Sequence, residues 1–355
     1  MFFKFRSESM NSGILGKTGV LLVNLGTPDS TSVPDVRKYL RQFLMDRRVI
    51  DIPFLSRWFL VNCIIAPFRA PKSAAVYKKV WLAEGSPLKV YGLAVEKLLQ
   101  EKLGGQYVVK LGMRYQNPSI ESALSAFAGR ADIGRIIVIP FFPQYASATT
   151  GSVHEEVMRI VNQWQIIPDI RFVNSFYDHP GVIRGFADSA QPFLTRDRYE
   201  HFVFSYHGLP ERQLTKAYVG GHDCEKAGCR KAITAENQHC YLAQSYATTR
   251  ALVRELNLKE ESVTTCFQSR LGKDPWIQPY TEDVVKALAK NGVKSVLAFS
   301  PAFVADCLET TEEVGEEYKE LFLENGGERW DLVPSLNDKP IWIETLADLV
   351  RRSET

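Results

Sequence analysis

The chain has 355 residues, enough for about two domains at roughly 100–200 residues each. Hydrophobic residues make up 45% and charged residues 24%, which excludes a disordered or fibrous chain. A net charge of +2 excludes a global basic field for nucleic acid, and six cysteines are too few for a disulfide scaffold at this length.

The N-terminus, Met1 to Met10, holds no apolar run long enough for a signal peptide. A first strand is predicted over 19–25 (GVLLVNL). An apolar stretch follows, Phe54 to Phe68, broken by Arg57, Asn62 and Pro67. It is too short for a bilayer, which needs about 20 apolar residues. It reads as a buried helix, or as an amphipathic element that touches a membrane surface or lines an apolar site. With no spanning segment, a cytoplasmic, reducing compartment is expected, so the cysteines read as free or metal-bound.

Strands are then predicted at 107–111, 135–141, 170–174, 202–206, 263–267 and 295–299, with another near 331. Helices are predicted over 91–103, 119–130, 151–164, 241–256, 280–291 and 340–352. The strands are apolar almost throughout, which suits a parallel sheet buried on both faces. Strand–helix alternation implies βαβ units and a doubly wound α/β fold. The spacing divides the chain into two halves of similar build, 14–177 and 178–339, with 340–352 packing back. The boundary falls at the turn Asp178-His179-Pro180-Gly181.

Ligands in open α/β sheets bind beyond the carboxyl ends of the strands. No Gly-x-Gly-x-x-Gly turn or Walker loop follows a strand, which disfavours a nucleotide enzyme, and no Gly-x-Ser-x-Gly elbow is present. His207 stands just past a buried strand, where imidazole suits a base or a metal ligand. A lone histidine is also commonly structural. Between Asp306 and Glu320 lie seven acids and one lysine. Glu309, Glu313, Glu316, Glu317 and Glu320 fall at i, i+4, i+7, i+8 and i+11, one face of an α-helix. A solvated face is the plain reading. Like charges at i,i+4 repel, so a cation explains the stripe better.

Cys224, Cys229 and Cys240 form C-x4-C-x10-C, with His222 and His239 beside them. Three readings stand: a [2Fe–2S] cluster with Cys266 or a histidine as fourth ligand, a zinc site with His222 or His239, and free thiols. Cys63 reads as a small core residue, and Cys307 as packing beside the acids, where it could also touch a passing metal.

Eight blocks in order carry a resemblance to the ferrochelatase family: LVNLGTP (22–28), IAPFRAPKSAAVYKKV (65–80), GSPL (85–88), MRYQNP (113–118), FFPQY with TTGS (141–152), SYHGLPER (205–212), QSRLGKDPWIQPYTED (268–283) and FSPAFVADCLETTEE (299–313). The resemblance covers roughly 18–350. It implies two Rossmann-like halves around a cleft. It implies a lyase of haem biosynthesis that inserts Fe2+, a substrate, into a porphyrin without ATP or a required cofactor. The family's active-site histidine and glutamate fall on His207 and Glu309, its metal-delivery line on Glu313 and Glu317, with Glu316 adjacent. Its porphyrin positions fall on Leu25, Arg69, Tyr77, Ser86, Arg114, Tyr115 and Trp276. Some bacterial members carry a [2Fe–2S] cluster on four inserted cysteines, two of them adjacent; here Arg230 follows Cys229. Coproporphyrin III enzymes of the family tend to have Tyr where this chain has Leu25, so protoporphyrin IX is the expected partner. The stretch 54–68 would lie at the cleft mouth, where peripheral contact with the inner face of a membrane is compatible but not required. A coproporphyrin III enzyme, a cobalt chelatase of the corrinoid pathway and a tetrapyrrole carrier are the alternatives; a carrier needs no line of acids.

Overall fold

The computed structural model describes residues 16–270, 272 and 274–354. The predicted absence of a signal peptide at the N-terminus, and the predicted start of the first half at 14, lie outside them.

Eight parallel strands form two four-stranded sheets. The first contains β1 (Lys17–Gly26), β2 (Tyr107–Tyr115), β3 (Ile133–Pro140) and β4 (Asp169–Phe172), in the order β2-β1-β3-β4. The second contains β5 (His201–His207), β6 (Val263–Gln268), β7 (Ser295–Phe299) and β8 (Arg329–Leu332), in the order β6-β5-β7-β8. The two orders are the same topology used twice. The strand order reverses beside β1 in one sheet and beside β5 in the other, so each sheet has a switch point at those ends.

Each central strand is buried on both faces, as its continuous apolar sequence requires. Val20 and Leu22 of β1 enter one core cluster, while Leu21 and Val23 enter another. Phe202, Phe204 and Tyr206 of β5 join the same cluster as Val20 and Leu22. The inner faces of both sheets therefore share one core. Helices Pro180–Arg196, Tyr241–Glu255 and Pro340–Arg352 complete it. The final helix packs on Pro180–Arg196 and on Pro87–Leu103.

Two predicted helices need correction. The segment expected over 119–130 is helical only over Ile120–Ser125. The apolar stretch 54–68 is not a buried helix. It runs as α-helix Phe54–Phe59, π-helix Leu60–Ile65 and the start of helix Ala66–Val80. Its buried face uses Val61 and the small Ala66, Ala70 and Ala74, against Val36, Tyr39 and Leu40 of helix Val33–Leu44. Its large side chains point outward, with Leu55 79% and Phe68 75% exposed, and Cys63, expected in the core, is exposed with them. Arg57, which reads as an interruption, is instead buried and donates to the carbonyls of Ile50 and Ile52. Among the described residues, no helix is long and apolar enough to cross a membrane.

Candidate functional site

His207 is the last residue of β5 and sits in register with Gln268, the last residue of β6. Its imidazole Nδ1 lies 2.7 Å from the Gly208 carbonyl. The Tyr241 hydroxyl donates to the His207 carbonyl at 2.8 Å. Gly208 is required here: an added Cβ would lie 2.7 Å from the Gln268 carbonyl oxygen and 3.2 Å from the Trp276 ring. Trp276 thus closes over the turn that follows the histidine.

The acidic segment differs from the α-helix read in the sequence. Glu309–Glu317 is π-helical and continues as α-helix Tyr318–Glu324. In a π-helix the hydrogen bonds run i→i+5, a form that recurs at functional sites. Glu313 meets Tyr318, whose hydroxyl donates to it at 3.0 Å. Glu312 pairs with Lys79 of helix Ala66–Val80, whose ammonium also feels the charges of Glu320 and Glu317. Glu316 and Glu317 are both exposed, and Glu316 lies 3.7 Å from the Lys319 ammonium.

Glu313 is the best-anchored of these acids. Its carboxylate also accepts the Ser269 N–H at 3.0 Å and the Ser269 hydroxyl at 2.6 Å. This ties the acidic helix to the end of β6, next to His207. Glu309 starts the helix beside Cys307, Tyr39 and Tyr77. Burial first, and then the Glu309 charge, holds the Tyr77 phenol well above its ordinary value. The Glu317 carboxyl is also raised, by partial burial and then by the charges of Glu313 and Glu312. Glu312, only 6% exposed, is neutralised by the Lys79 ammonium.

The expected porphyrin positions separate into two groups. Leu25, Tyr77 and Trp276 are partly open, and Arg69 is exposed. The others face neighbours. The buried Ser86 hydroxyl accepts from Thr27 at 2.9 Å. Tyr115 is 0% exposed and donates to Asp46 at 2.8 Å. The Arg114 guanidinium donates to the same carboxylate at 2.8 Å and to the Ser152 hydroxyl at 2.7 Å. In this structure those three brace the wall rather than face an open surface.

A cavity of about 530 Å3 lies nearby, with Leu209, Tyr145, Tyr241 and His239 among its walls. It includes neither His207 nor Glu309 in its lining.

Away from these ends, His222, Cys224, Cys229 and Cys240 bring their ligand atoms within 4.8 Å of one another, a group that could hold a metal ion. The hydrogen bond from the Cys224 thiol holds Cys240 down to about 5. Burial pushes Cys229 up to about 12, and Cys224 is pushed up by its bond to Cys240 and by burial. Cys266 is corrected as a fourth ligand. It is buried on β6, accepts from the Thr281 hydroxyl at 3.2 Å and belongs to a different core cluster. His239 is also outside the group; His222 completes it.

Several site residues were not singled out in the sequence. Gln268, Ser269 and Lys79 lie inside the quoted blocks, but nothing in their spacing points to the acids. Asp46 and Tyr241 carry no sequence signal at all.

The family model that matches residues 17–354 is described as ferrochelatase. A ferrochelatase of Legionella pneumophila (strain Lens) is 43% identical over 94% of this chain and 98% of its own length. One of Coxiella burnetii (strain Dugway 5J108-111) is 42% identical over 95% of this chain and 94% of its own. The solved structure of SirB from Bacillus subtilis with Fe3+ shares the fold, with a TM-score of 0.51 at 13% identity, covering 95% of both chains.

The buried Asp46 network gives a pH prediction. Burial alone would raise the Asp46 carboxyl. The Ser152 hydroxyl, the Arg48 N–H, Arg114 and Tyr115 outweigh it and hold the carboxyl below its ordinary value. A depressed folded-state value adds stability above the unfolded-state value, and that stability is lost as pH falls through the folded one. Asp46→Ala should therefore cost about 3 kcal/mol at neutral pH. In urea unfolding followed from pH 7 to pH 3, the gap to the wild type should narrow toward acid. A constant gap would show that the carboxylate charge contributes nothing.

Proposed function

The chain belongs to the ferrochelatase family, and on that premise we propose that it inserts Fe2+ into protoporphyrin IX to form protohaem, the last step of haem biosynthesis, without ATP. One observation carries the assignment of roles. The acidic π-helix is bonded at one side to the end of β6 beside His207, through Glu313 and Ser269, and at the other to helix Ala66–Val80, through Glu312 and Lys79. Carboxylates therefore lie between the strand-end histidine and the helix that carries Arg69 and Tyr77.

A porphyrin must lose two pyrrole protons before a metal enters its plane. In a flat ring the nitrogen lone pairs lie in that plane. A rigid wall that binds a bent ring turns a lone pair outward, using binding energy from the ring periphery. Trp276 and Leu25 offer apolar surface to the macrocycle. The Arg69 guanidinium suits a propionate, and Tyr77 adds a hydroxyl. Ser86, Arg114 and Tyr115 act by holding that wall in shape.

Fe2+ is the substrate and is attracted by the acids, whose mutual repulsion a divalent cation relieves. Glu317 lies outermost, Glu313 next and Glu309 nearest the lip tyrosines, so the ion sheds water in steps along them. His207 stands at the strand end as acceptor of a pyrrole proton or as the last ligand before insertion. The Cys/His group has no part in these steps.

The choice of porphyrin rests on Leu25. It is partly buried against the Tyr39–Ala74 cluster and presents a methyl surface. Vinyl groups suit that surface, while the additional propionates of coproporphyrin III would lose hydration there without a partner. The exposed side chains of Phe54, Leu55, Trp58, Phe59 and Phe68, with the exposed cations Arg69 and Lys72 beside them, fit an anionic membrane surface.

His207→Ala and Glu309→Gln are expected to lower turnover at least about 100-fold, the size of a lost acid–base group, with porphyrin binding retained by fluorescence titration. Glu317→Gln should mainly raise the apparent KM for Fe2+, the mark of a residue used in uptake. Wild-type iron dependence in Glu317→Gln would sink the delivery role. In an insertion assay with both porphyrins, kcat/KM should be higher for protoporphyrin IX, and Leu25→Tyr should narrow the difference. A preference for coproporphyrin III would overturn the substrate reading. The protein should co-sediment with vesicles containing anionic lipid, and Leu55→Ser with Phe68→Ser should abolish this without changing kcat. Equal sedimentation of that variant would remove the membrane role from this surface.

A further inference from the structure

The segment from Tyr218 to Cys240 is loop and turn throughout, yet it buries Cys229, Asn237 and Cys240 completely. Asn237 laces it: its side-chain amide donates to the carbonyls of Ala227 and Ala232, and its side-chain oxygen accepts the Thr234 N–H. At the centre stand His222, Cys224, Cys229 and Cys240. The His222 Nε2 lies 3.2 Å from the Cys229 sulfur, and the sulfurs of Cys224 and Cys240 are 3.6 Å apart.

These separations discriminate between the metal groups a cysteine set can hold. One tetrahedral ion with bonds of about 2.3 Å to sulfur and about 2.0 Å to nitrogen places its ligand atoms roughly 3.5–3.8 Å apart. A [2Fe–2S] cluster puts two ligands on each of two irons, so ligands on different irons stand roughly 5–7 Å apart. Here the His222–Cys229 and Cys224–Cys240 pairs stand near the one-ion separation, and all four ligand atoms lie within 4.8 Å of one another, short of the span between ligands on two irons. Only three of the four ligands are thiols, and Cys266, which could have supplied the fourth, is held elsewhere on β6.

We propose that His222, Cys224, Cys229 and Cys240 bind one tetrahedral Zn2+ that staples this segment to the helix lining the active site. Zinc has no redox role and takes Cys3His as a structural set. Four protein ligands leave no open position for substrate, so the ion acts on structure. Cys240 caps helix Tyr241–Glu255. The next residue, Tyr241, holds the His207 carbonyl, and His239 stands in the wall of the adjacent cavity. A loop without regular structure keeps this arrangement only if something fixes it, and metal binding supplies folding energy directly. The proposal stands independently of the roles given to His207 and the acids.

The test is a metal count on the wild-type protein purified without added metal. One zinc per chain is expected, with neither stoichiometric iron nor acid-labile sulfide. Exchange with Co2+ should give visible d–d bands and thiolate-to-cobalt charge transfer typical of a tetrahedral thiolate site. His222→Ala and Cys229→Ser should each lose the ion and melt at lower temperature. Glu309→Gln should keep it, which separates this site from the iron path. Two irons with two labile sulfides per chain would overturn the proposal, and so would the absence of any stoichiometric metal. Both outcomes are read on the wild type and need no variant to fold.

Discussion

The core shared by the two sheets is the constraint on which the site depends. Val20, Leu22, Ile137 and Ile139 of one sheet meet Phe202, Phe204, Tyr206 and Phe299 of the other in a single cluster. Interiors packed this way deform little, so the ends of β1 and β5 keep a fixed relation. The histidine at the end of β5 and the leucine near the end of β1 belong to different sheets, and only this core relates them. Helix Pro340–Arg352 reinforces it by packing on helices from both parts of the chain. The proposed insertion chemistry needs such a rigid frame, because a wall that yields to a flat porphyrin cannot bend it.

Against that frame, the acidic helix is a costly element held by particular partners. Seven acids with one lysine do not sit together without compensation. Glu312 is neutralised by Lys79 from the opposite side, and Glu313 is satisfied by Ser269 and Tyr318. Glu317 has no such saturation, and its carboxyl is raised by its neighbours. The innermost acids are thus positioned by the protein, while the outer one is left with charge to offer. Within this π-helical stretch Glu312 meets Lys79 and Glu313 meets Tyr318.

The Cys/His segment and the apolar lip are two attachments to the same frame. The lip is anchored by small residues and by the buried Arg57, which leaves its large apolar side chains outside. The Cys/His segment has no sheet or helix of its own. It reaches the site through Tyr241, one residue beyond Cys240, by a hydrogen bond to the backbone of His207.

Much of this architecture was legible in the sequence. Near-continuous apolar runs, alternating with helical periods, gave the central strands and the parallel sheets, because burial on both faces leaves a plain mark on composition; the edge strands β4 and β8 are largely unburied and carry a weaker one. The motif blocks gave the family and pointed to His207 and Glu309. The geometry of the acids was not legible, because a π-helix and an α-helix share a sequence pattern and differ in backbone hydrogen bonding. The lip read as buried because hydrophobicity reports what a residue prefers, not whether a partner covers it. The metal set was ambiguous between Cys266, His222 and His239 because sequence distance does not measure spatial distance. Sequence by itself determined the elements, their order and the chemistry available at their ends. Only the tertiary structure decided which groups are already spent on neighbours, as Ser86, Arg114 and Tyr115 are, and which remain free to act. That depends on contacts between segments far apart in the chain, and no local pattern encodes them.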